Sequence, residues 1–295
     1  MRVPVAFGAW LLLLTAAWLT AALPWEALGS AQGAALWWQL RQHALYLSGV
    51  WSIGMMSLVM LLSLRQRWME WPLGGMDQVY RLHKWAGIAA AVAAVLHWAA
   101  DESSDFIKDI WGKAGRPARE IVWSWAVDWR GSAKDVGEFA FYALLVMVVL
   151  TLWQRLLPYR PWRYIHRVMP VLYLLLAFHT LALLPLTFWQ APIGLLMAAL
   201  LVLGSGAALW SLTGRIGRGR NSYAAQVQAV QLLGVDAGTD PVEVVCAMPT
   251  RWKGTIPGSL CLPALKGWRG HTPSPLPALP MAMRVQTMAG SCCAW

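Results

Sequence analysis

Charged residues are scarce in this chain. Only 13% of its 295 residues are Asp, Glu, Lys or Arg, whereas 58% are hydrophobic. So little charge, together with apolar runs of about eighteen residues or more, is typical of a protein that crosses a lipid bilayer several times. The sequence predicts an all-α integral membrane protein, a bundle of six transmembrane helices followed by a short β-type tail. The spans are expected at approximately Val5–Leu23, Leu45–Leu64, Leu82–Ala100, Gly137–Leu157, Val168–Leu186 and Pro192–Leu212.

Cysteine is absent from the first 245 residues. The four cysteines lie in the tail, at positions 246, 261, 292 and 293, and no Cys-x-x-Cys-His motif occurs. The covalent attachment of a haem is therefore excluded. None of the four has the spacing of a zinc or iron–sulfur site, and in a cytoplasmic tail they are expected to be reduced thiols.

Four of the six histidines lie in apolar segments as two matched pairs. His83 and His97 are fourteen positions apart, and His166 and His179 are thirteen apart. On a helix these separations correspond to roughly 21 and 19.5 Å. An ionisable residue inside a membrane span marks a functional site by default. Imidazole binds iron, copper and zinc alike, but a single tetrahedral zinc is disfavoured because two of the four ligands lie about four turns from the others.

Basic residues indicate how the spans are oriented, because they collect in cytoplasmic loops. Four follow the second span, four follow the fourth span and three follow the last, namely Arg65, Arg67, Arg81, Lys84, Arg155, Arg160, Arg163, Arg167, Arg215, Arg218 and Arg220. We therefore expect an inner (plasma) membrane protein with both termini in the cytoplasm and residues 101–136 outside. The net charge of +10 is then a topology signal. It favours the lipid bilayer as a partner over nucleic acid.

This topology makes the third and fifth spans parallel and brings the histidines together in two layers. His83 and His166 form the inner pair, and His97 and His179 form the outer pair. Fourteen positions keep His83 and His97 on one helix face, whereas thirteen leave His166 and His179 out of phase. Pro170 lies between the latter two, and we expect a kink or local re-winding there to restore their alignment.

Small and basic residues flank these histidines. Gly87 and the alanines from Ala89 to Ala94 leave room for a bulky flat ligand, although close helix packing explains them equally well. The inner pair is flanked by four cations that are candidate partners for haem propionates, Arg81, Lys84, Arg163 and Arg167. Tryptophans at the predicted interfaces are expected to anchor the bundle; these are Trp25, Trp37, Trp38, Trp68, Trp71, Trp162 and Trp189. Residues 116–128 are expected to form an amphipathic helix on the membrane surface.

The segments Tyr80–Gly87 through His97-Trp98 and Tyr164–Arg167 through Phe178-His179 resemble the ferric reductase transmembrane domain. That domain is shared by ferric reductases, NADPH oxidases and the haem-binding membrane subunits of methionine sulfoxide reductases, and the resemblance covers roughly residues 45–212. It implies a six-helix bundle with two b-type haems, the inner pair ligating one iron and the outer pair the other. It also implies a transmembrane oxidoreductase of the ferric reductase or NAD(P)H oxidase type, in which electrons pass from a cytoplasmic flavin or NAD(P)H donor to an external acceptor such as ferric iron.

The tail predicts short strands and then loses its pattern. Val227–Leu232 and Val242–Val245 alternate with turn residues, and Trp252–Gly258 resembles the opening of a ferredoxin reductase-type FAD-binding barrel. The flavin-binding and nicotinamide-binding motifs that would follow in the family are not found after Gly258. We therefore expect four regions: a first transmembrane helix and external loop (1–40), the haem-binding domain (41–215), an incomplete FAD-binding segment (216–258) and an atypical tail, disordered or translated out of frame (259–295).

Two other functions remain open from the sequence. The chain could be a haem-binding electron-transfer subunit that serves a separate flavoprotein reductase. A transporter that uses the histidines as a proton relay is less favoured because the spans show no convincing internal repeat. No catalytic acid or base is expected, since axial ligation needs none. Asp101, Glu102, Asp105 and Asp109 follow His97 and are candidate external ligands for ferric iron, although solvated carboxylates at a helix end explain them as well.

Overall fold

The computed structural model describes residues 2–20, 29, 31–152 and 164–213, together with three strands in the tail. The chain divides into two compact units, residues 1–69 with 80–216 and residues 70–79 with 217–295. The helices in the described part are α1 (Arg2–Leu19), α2 (Ala34–Ser63), α3 (Arg67–Leu73), α4 (Met76–Trp111), α5 (Ser124–Leu152), α6 (Met169–Leu183), α7 (Leu186–Trp189) and α8 (Pro192–Leu212).

Five of the six predicted spans correspond to helices that are long and apolar enough to cross a membrane. Within the described residues these are Arg2–Leu19, Ala34–Ser63, Ser124–Leu152, Tyr164–Leu183 and Pro192–Leu212. The count of six is not reached because α4, which carries His83 and His97, is less apolar than the others. Its polar residues lower its mean hydropathy. The chain is thus a multi-pass membrane protein, and the sixth crossing by α4 remains a prediction.

Helix α4 is much longer than its predicted span of residues 82–100. Its 36 residues extend from Met76 to Trp111. This corresponds to about 54 Å of helix rise, against about 30 Å for the hydrocarbon core of a bilayer. The segment from Asp101 to Trp111 was expected to be external loop, and it is instead a continuation of the helix. The acidic and basic residues there interrupt the apolar pattern without breaking helical propensity.

The helix that carries His166 and His179 is interrupted between them. Residues 164–166 form one helical turn, residues 167–168 form a turn, and α6 begins at Met169 with Pro170 in its first turn. Proline is favoured at this position because it has no N–H to donate and its φ angle suits a helix start. The predicted break near Pro170 is therefore present, and both histidines face the partners that the topology assigned to them.

The bundle core is apolar and is cross-linked by a few hydrogen bonds between helices. Leu14, Met55, Leu144, Ile193 and Met197 are almost fully buried within it. Trp51 Nε1 on α2 donates to Thr15 Oγ1 on α1 at 3.0 Å. Ser52 Oγ on α2 donates to the Ala90 carbonyl on α4 at 3.2 Å. Ser57 Oγ on α2 lies 2.9 Å from the Tyr173 hydroxyl on α6. Such bonds fix helix register where apolar packing alone is permissive.

Residues 112–123 form a non-helical cap over the ends of two helices. Trp38 of α2 donates to the Gly112 carbonyl at 3.3 Å and lies under Arg116, and the Leu186 amide donates to the Ile121 carbonyl at 2.8 Å. Two glycines turn the chain in the left-handed region, Gly112 at φ 70° and Gly115 at φ 73°. A Cβ on Gly115 would lie 2.6 Å from that of Ala35, so the tight turn needs glycine.

The cap overturns two sequence predictions. The expected amphipathic helix over residues 116–128 is wrong, because helix α5 starts only at Ser124. The segment before Ser124 makes hydrogen bonds to neighbouring helices in place of its own helical ones. Trp38 is also wrong as an interface anchor, since it is only 2% exposed beneath the cap. By contrast, Trp68 and Trp71 are 68% and 87% exposed, as interface anchors are expected to be.

In the second unit the described strands form one small sheet. They are β1 (Gln226–Leu232), β2 (Val242–Ala247) and β3 (Met283–Gln286), with β2 antiparallel to β1 and parallel to β3. The first two coincide with the strands expected at Val227–Leu232 and Val242–Val245. The third lies in the stretch after Gly258 that was expected to be without structure. Trp252–Gly258, which carries the FAD-barrel resemblance, lies outside the described residues.

Candidate functional site

The four helix histidines meet as the two predicted pairs. The ring centres of His83 and His166 are 6.3 Å apart, with 66° between the ring planes. The ring centres of His97 and His179 are also 6.3 Å apart, at 86°. In each pair one ring comes from α4, and the other comes from α6 or the helical turn that precedes it. The fold therefore creates two similar two-histidine sites, one towards each end of the bundle.

The 6.3 Å separation is the one expected for two imidazoles on opposite sides of a single metal ion. A metal–nitrogen bond is about 2.0 Å long, and the ring centre lies about 1.1 Å beyond that nitrogen, so the two ring centres would be about 6.2 Å apart. Direct imidazole–imidazole hydrogen bonding is a different arrangement, since it needs one ring to donate to the other. Two imidazoles that bound one metal ion would leave its other coordination positions to a further ligand. A haem would supply that ligand, so the donor set fits this group.

Backbone carbonyls orient the outer pair. Nδ1 of His97 lies 2.8 Å from the Leu45 carbonyl oxygen on α2, and Nδ1 of His179 lies 2.8 Å from the Ala133 carbonyl oxygen on α5. A carbonyl only accepts, so Nδ1 donates in both rings. The lone pair is then on Nε2, which is the nitrogen left to bind a metal. A hydrogen bond from Nδ1 to a backbone carbonyl is the usual outer support of a metal-binding imidazole.

The inner pair is supported differently. The backbone of Val59 on α2 lies close to His83. His166 comes from the isolated turn at residues 164–166, ahead of the proline that starts α6. The interruption changes the helical phase between His166 and His179.

Three of the four predicted propionate partners are described, and all three are exposed. These are Arg81, Lys84 and Arg167, of which Arg167 lies over the Tyr164 ring at 5.3 Å. Arg163 lies outside the described residues. Their role as contacts of a haem carboxylate stays a prediction, because their exposed positions also suit basic residues at a membrane surface.

The acidic residues after His97 do not gather into a ferric iron site. Asp101 forms an ion pair with Arg41 of α2 at 2.9 Å, and Asp105 lies 3.6 Å from Lys108. In the parts of the chain that the structure describes, no group of three or more His, Cys, Asp or Glu side chains is arranged to hold a metal ion. On the helical continuation of α4 these carboxylates lie along one side of the helix and are spread over about 12 Å of its rise.

Sequence reasoning missed the polar contacts that tie the cap to the bundle. Gln42 Nε2 donates to Glu120 Oε1 at 2.6 Å, and the Arg130 guanidinium donates to the Glu120 carbonyl oxygen at 3.1 Å. Burial raises the pKa of the Glu120 carboxyl above its ordinary value, although the bond from Gln42 and the charge of Arg130 both act to lower it. No spacing in the sequence identifies these partners, because they are 78 and 10 positions from Glu120.

The raised pKa predicts that ionisation of Glu120 weakens the cap. The folded chain holds the proton on Glu120 more tightly than the unfolded chain does. The stabilisation by protonated Glu120 is therefore lost as the pH rises from about 4.3, the pKa in the unfolded chain, through the higher pKa in the folded chain. Replacing Glu120 with glutamine should flatten the pH dependence of the melting temperature in detergent over this window. The exposed Glu102→Gln is the matched control. Parallel melting curves for wild type and Glu120→Gln across the window would contradict this role.

These features define a class: a multi-pass membrane protein whose helices carry two opposed-histidine sites. Residues 48–177 match the family described as "Ferric reductase like transmembrane component". This stretch is therefore similar to a ferric reductase-like transmembrane domain, as the sequence resemblance predicted, and such a domain is typical of a membrane oxidoreductase component. The match includes His83, His97 and His166 and ends two residues before His179. No curated protein matches the chain.

Proposed function

We propose that this protein carries two b-type haems and passes electrons across the membrane, from a cytoplasmic flavin or NAD(P)H donor to an external acceptor such as ferric iron. The observation that carries the proposal is the pairing of the histidines at two depths of the bundle. Both pairs have ring centres 6.3 Å apart. The family match over residues 48–177 supports the same reading. The protein is proposed to lie in the plasma membrane with both termini in the cytoplasm.

The residues have separate roles in this proposal. His83 and His166 would be the axial ligands of the inner site, and His97 and His179 would be those of the outer site. A haem with two histidine ligands supplies one-electron transfer without an open coordination position for oxygen. Arg81, Lys84, Arg163 and Arg167 would pair with its carboxylates at the inner site.

The chain's own packing would hold the outer site in place. At the outer end the cap is held over the N-terminal turns of α2, through Trp38 and Gln42. The Arg41–Asp101 ion pair lies one helical turn from both Leu45 and His97. These contacts fix the ends of α2 and α4 relative to each other, and so maintain the distance between Leu45 and the imidazole that donates to it.

Proteoliposomes test the proposed direction of electron flow. Vesicles holding the purified, haem-loaded protein would enclose NADPH with or without a separate flavoprotein reductase, and ferric chelate would be supplied outside. We expect external ferrous iron to form when protein, NADPH and reductase are all present. The vesicles with NADPH and no reductase show whether a separate flavoprotein is the electron donor; little ferrous iron is expected there if it is.

Protein-free vesicles with the same contents are the control for leakage. Equal ferric reduction with and without the protein, from a sample that carries haem, would contradict transmembrane electron transfer. Full activity with NADPH alone would contradict the need for a separate reductase. It would leave the transmembrane route intact.

A further inference from the structure

Each carbonyl that holds an outer imidazole is followed, four residues later, by glycine. Leu45 accepts from His97 and precedes Gly49 on α2, and Ala133 accepts from His179 and precedes Gly137 on α5. In an α-helix the Cβ of residue i+4 tilts back towards the carbonyl of residue i. Glycine therefore leaves that carbonyl uncovered, and its second lone pair can accept a bond from outside the helix.

The imidazoles occupy the space that a side chain would take at these two positions. A Cβ on Gly137 would lie 2.9 Å from His179 Cγ and closer still to Nδ1 and Cε1 of the same ring. A Cβ on Gly49 would lie 3.1 Å from His97 Nδ1 and Cε1. The first contact requires the ring to move, whereas the second requires an adjustment of a few tenths of an ångström. A similar arrangement occurs at Gly204, where the Tyr173 hydroxyl fills the Cβ space and donates to the Leu200 carbonyl. By contrast, Gly131 on α5 and Gly206 on α8 have no atom within 4 Å of such a Cβ.

We infer that Gly49 and Gly137 are positioning residues for the outer pair. They expose the carbonyls of Leu45 and Ala133, which fix the protonated Nδ1 and the plane of each ring, so that each Nε2 lone pair is left for a metal ion, with the ring planes 86° apart. The same hydrogen bonds raise the basicity of the imidazoles as metal ligands. A more basic ligand favours ferric iron and lowers the reduction potential of the site. This inference rests on the haem ligation proposed above.

The inner pair does not use this arrangement. The Val59 backbone lies close to His83, and the residue four positions after Val59 is Ser63, not glycine. The inner ring planes are also less perpendicular, at 66°. Substitution of Gly49 or Gly137 should therefore change one site and leave the other as an internal reference within the same molecule.

The test compares Gly137→Ala and Gly49→Ala with Gly131→Ala and Gly206→Ala in the full chain. Haem per chain, a redox titration and the electron paramagnetic resonance spectrum of the oxidised protein are measured. Gly137→Ala should lose up to one of the two haems. If it keeps both, one midpoint potential should shift to a more positive value and one low-spin ferric signal should change. Gly49→Ala should show a smaller shift in the same direction. Both control variants should match the wild type.

A chemical complementation experiment separates the effect of the hydrogen bond to the Ala133 carbonyl from the effect of the room that Gly137 leaves for the ring. In His179→Gly, added imidazole can bind iron through one nitrogen and donate to Ala133 through the other. 1-Methylimidazole can bind iron but has no N–H to donate. Imidazole should restore the low-spin spectrum of the outer site at lower concentration than 1-methylimidazole does. This comparison also decides the question if Gly137→Ala does not yield folded protein.

Two results would overturn the inference: wild-type potentials and signals in Gly137→Ala with both haems present, or equal restoration by the two imidazoles. A folded wild type without haem is a different failure, because it would remove the proposed function itself. Two haems in the wild type together with an unaltered Gly137→Ala would remove only the positioning role of the glycines.

Discussion

Replacing His97 or His179 with alanine is expected to remove the outer haem and to leave the inner one in place, so that haem per chain falls from two to about one. The centres of the two rings are 6.3 Å apart, and each ring would supply one of the two ligands of the outer haem, so the loss of either leaves the site incomplete. Replacing His83 or His166 should remove the inner haem in the same way. Pyridine haemochrome measurements on the purified variants give the stoichiometry, and the remaining absorption band identifies which site is lost.

His43 provides the matched control. It is also a buried histidine in a long apolar helix, but its Nδ1 lies 2.8 Å from the Gln39 carbonyl of its own helix, and its ring packs on Trp18. His43→Gln should therefore retain both haems. Loss of a haem in this variant, or two haems in His97→Ala, would contradict the assignment of ligands.

Single-cysteine labelling should give an all-or-none answer on topology. The native cysteines lie only in the tail, at positions 246, 261, 292 and 293, so replacing these four with serine gives a clean background. Asp109→Cys places a thiol at an exposed site near the end of α4, and Gln66→Cys places one at an exposed site between α2 and α3. In intact cells a membrane-impermeant maleimide should label Asp109→Cys. It should label Gln66→Cys only after permeabilisation.

This outcome follows from the distribution of basic residues, which predicts that residue 66 lies in the cytoplasm and residue 109 outside. It also tests whether α4 crosses the bilayer, because the two labels lie on either side of it. Labelling of both sites in intact cells would mean that α4 does not cross. The reverse pattern would mean that the whole bundle is inverted.

The histidine pairs could be predicted from the sequence because they depend on few facts. Spacing of fourteen and thirteen residues, two parallel spans and one proline are enough to place His83 opposite His166 and His97 opposite His179. The proline prediction succeeded for a local reason, since Pro170 cannot continue a hydrogen-bonded helix from the preceding turn. Span positions were also recoverable, because apolar length follows directly from bilayer thickness.

Contacts between distant segments could not be predicted in this way. The cap over residues 112–123 has no periodicity, and its partners Trp38 and Gln42 are chosen by the tertiary fold. The same holds for Gly49 and Gly137. A glycine in an apolar helix is ordinarily explained by close packing, and its relation to an imidazole appears only when the neighbouring helix is in place. Helix α4 was misjudged in length because its charged end remains helical as far as Trp111.

The most direct test is the haem content of the wild-type protein, measured as a dithionite-reduced minus oxidised spectrum together with pyridine haemochrome on detergent-purified, monodisperse sample. Two opposed-histidine sites predict two b-type haems per chain, both low-spin and both reducible. A folded, monodisperse protein with no haem would contradict the electron-transfer function and leave the paired histidines to be explained by other chemistry, with proton transfer the first candidate.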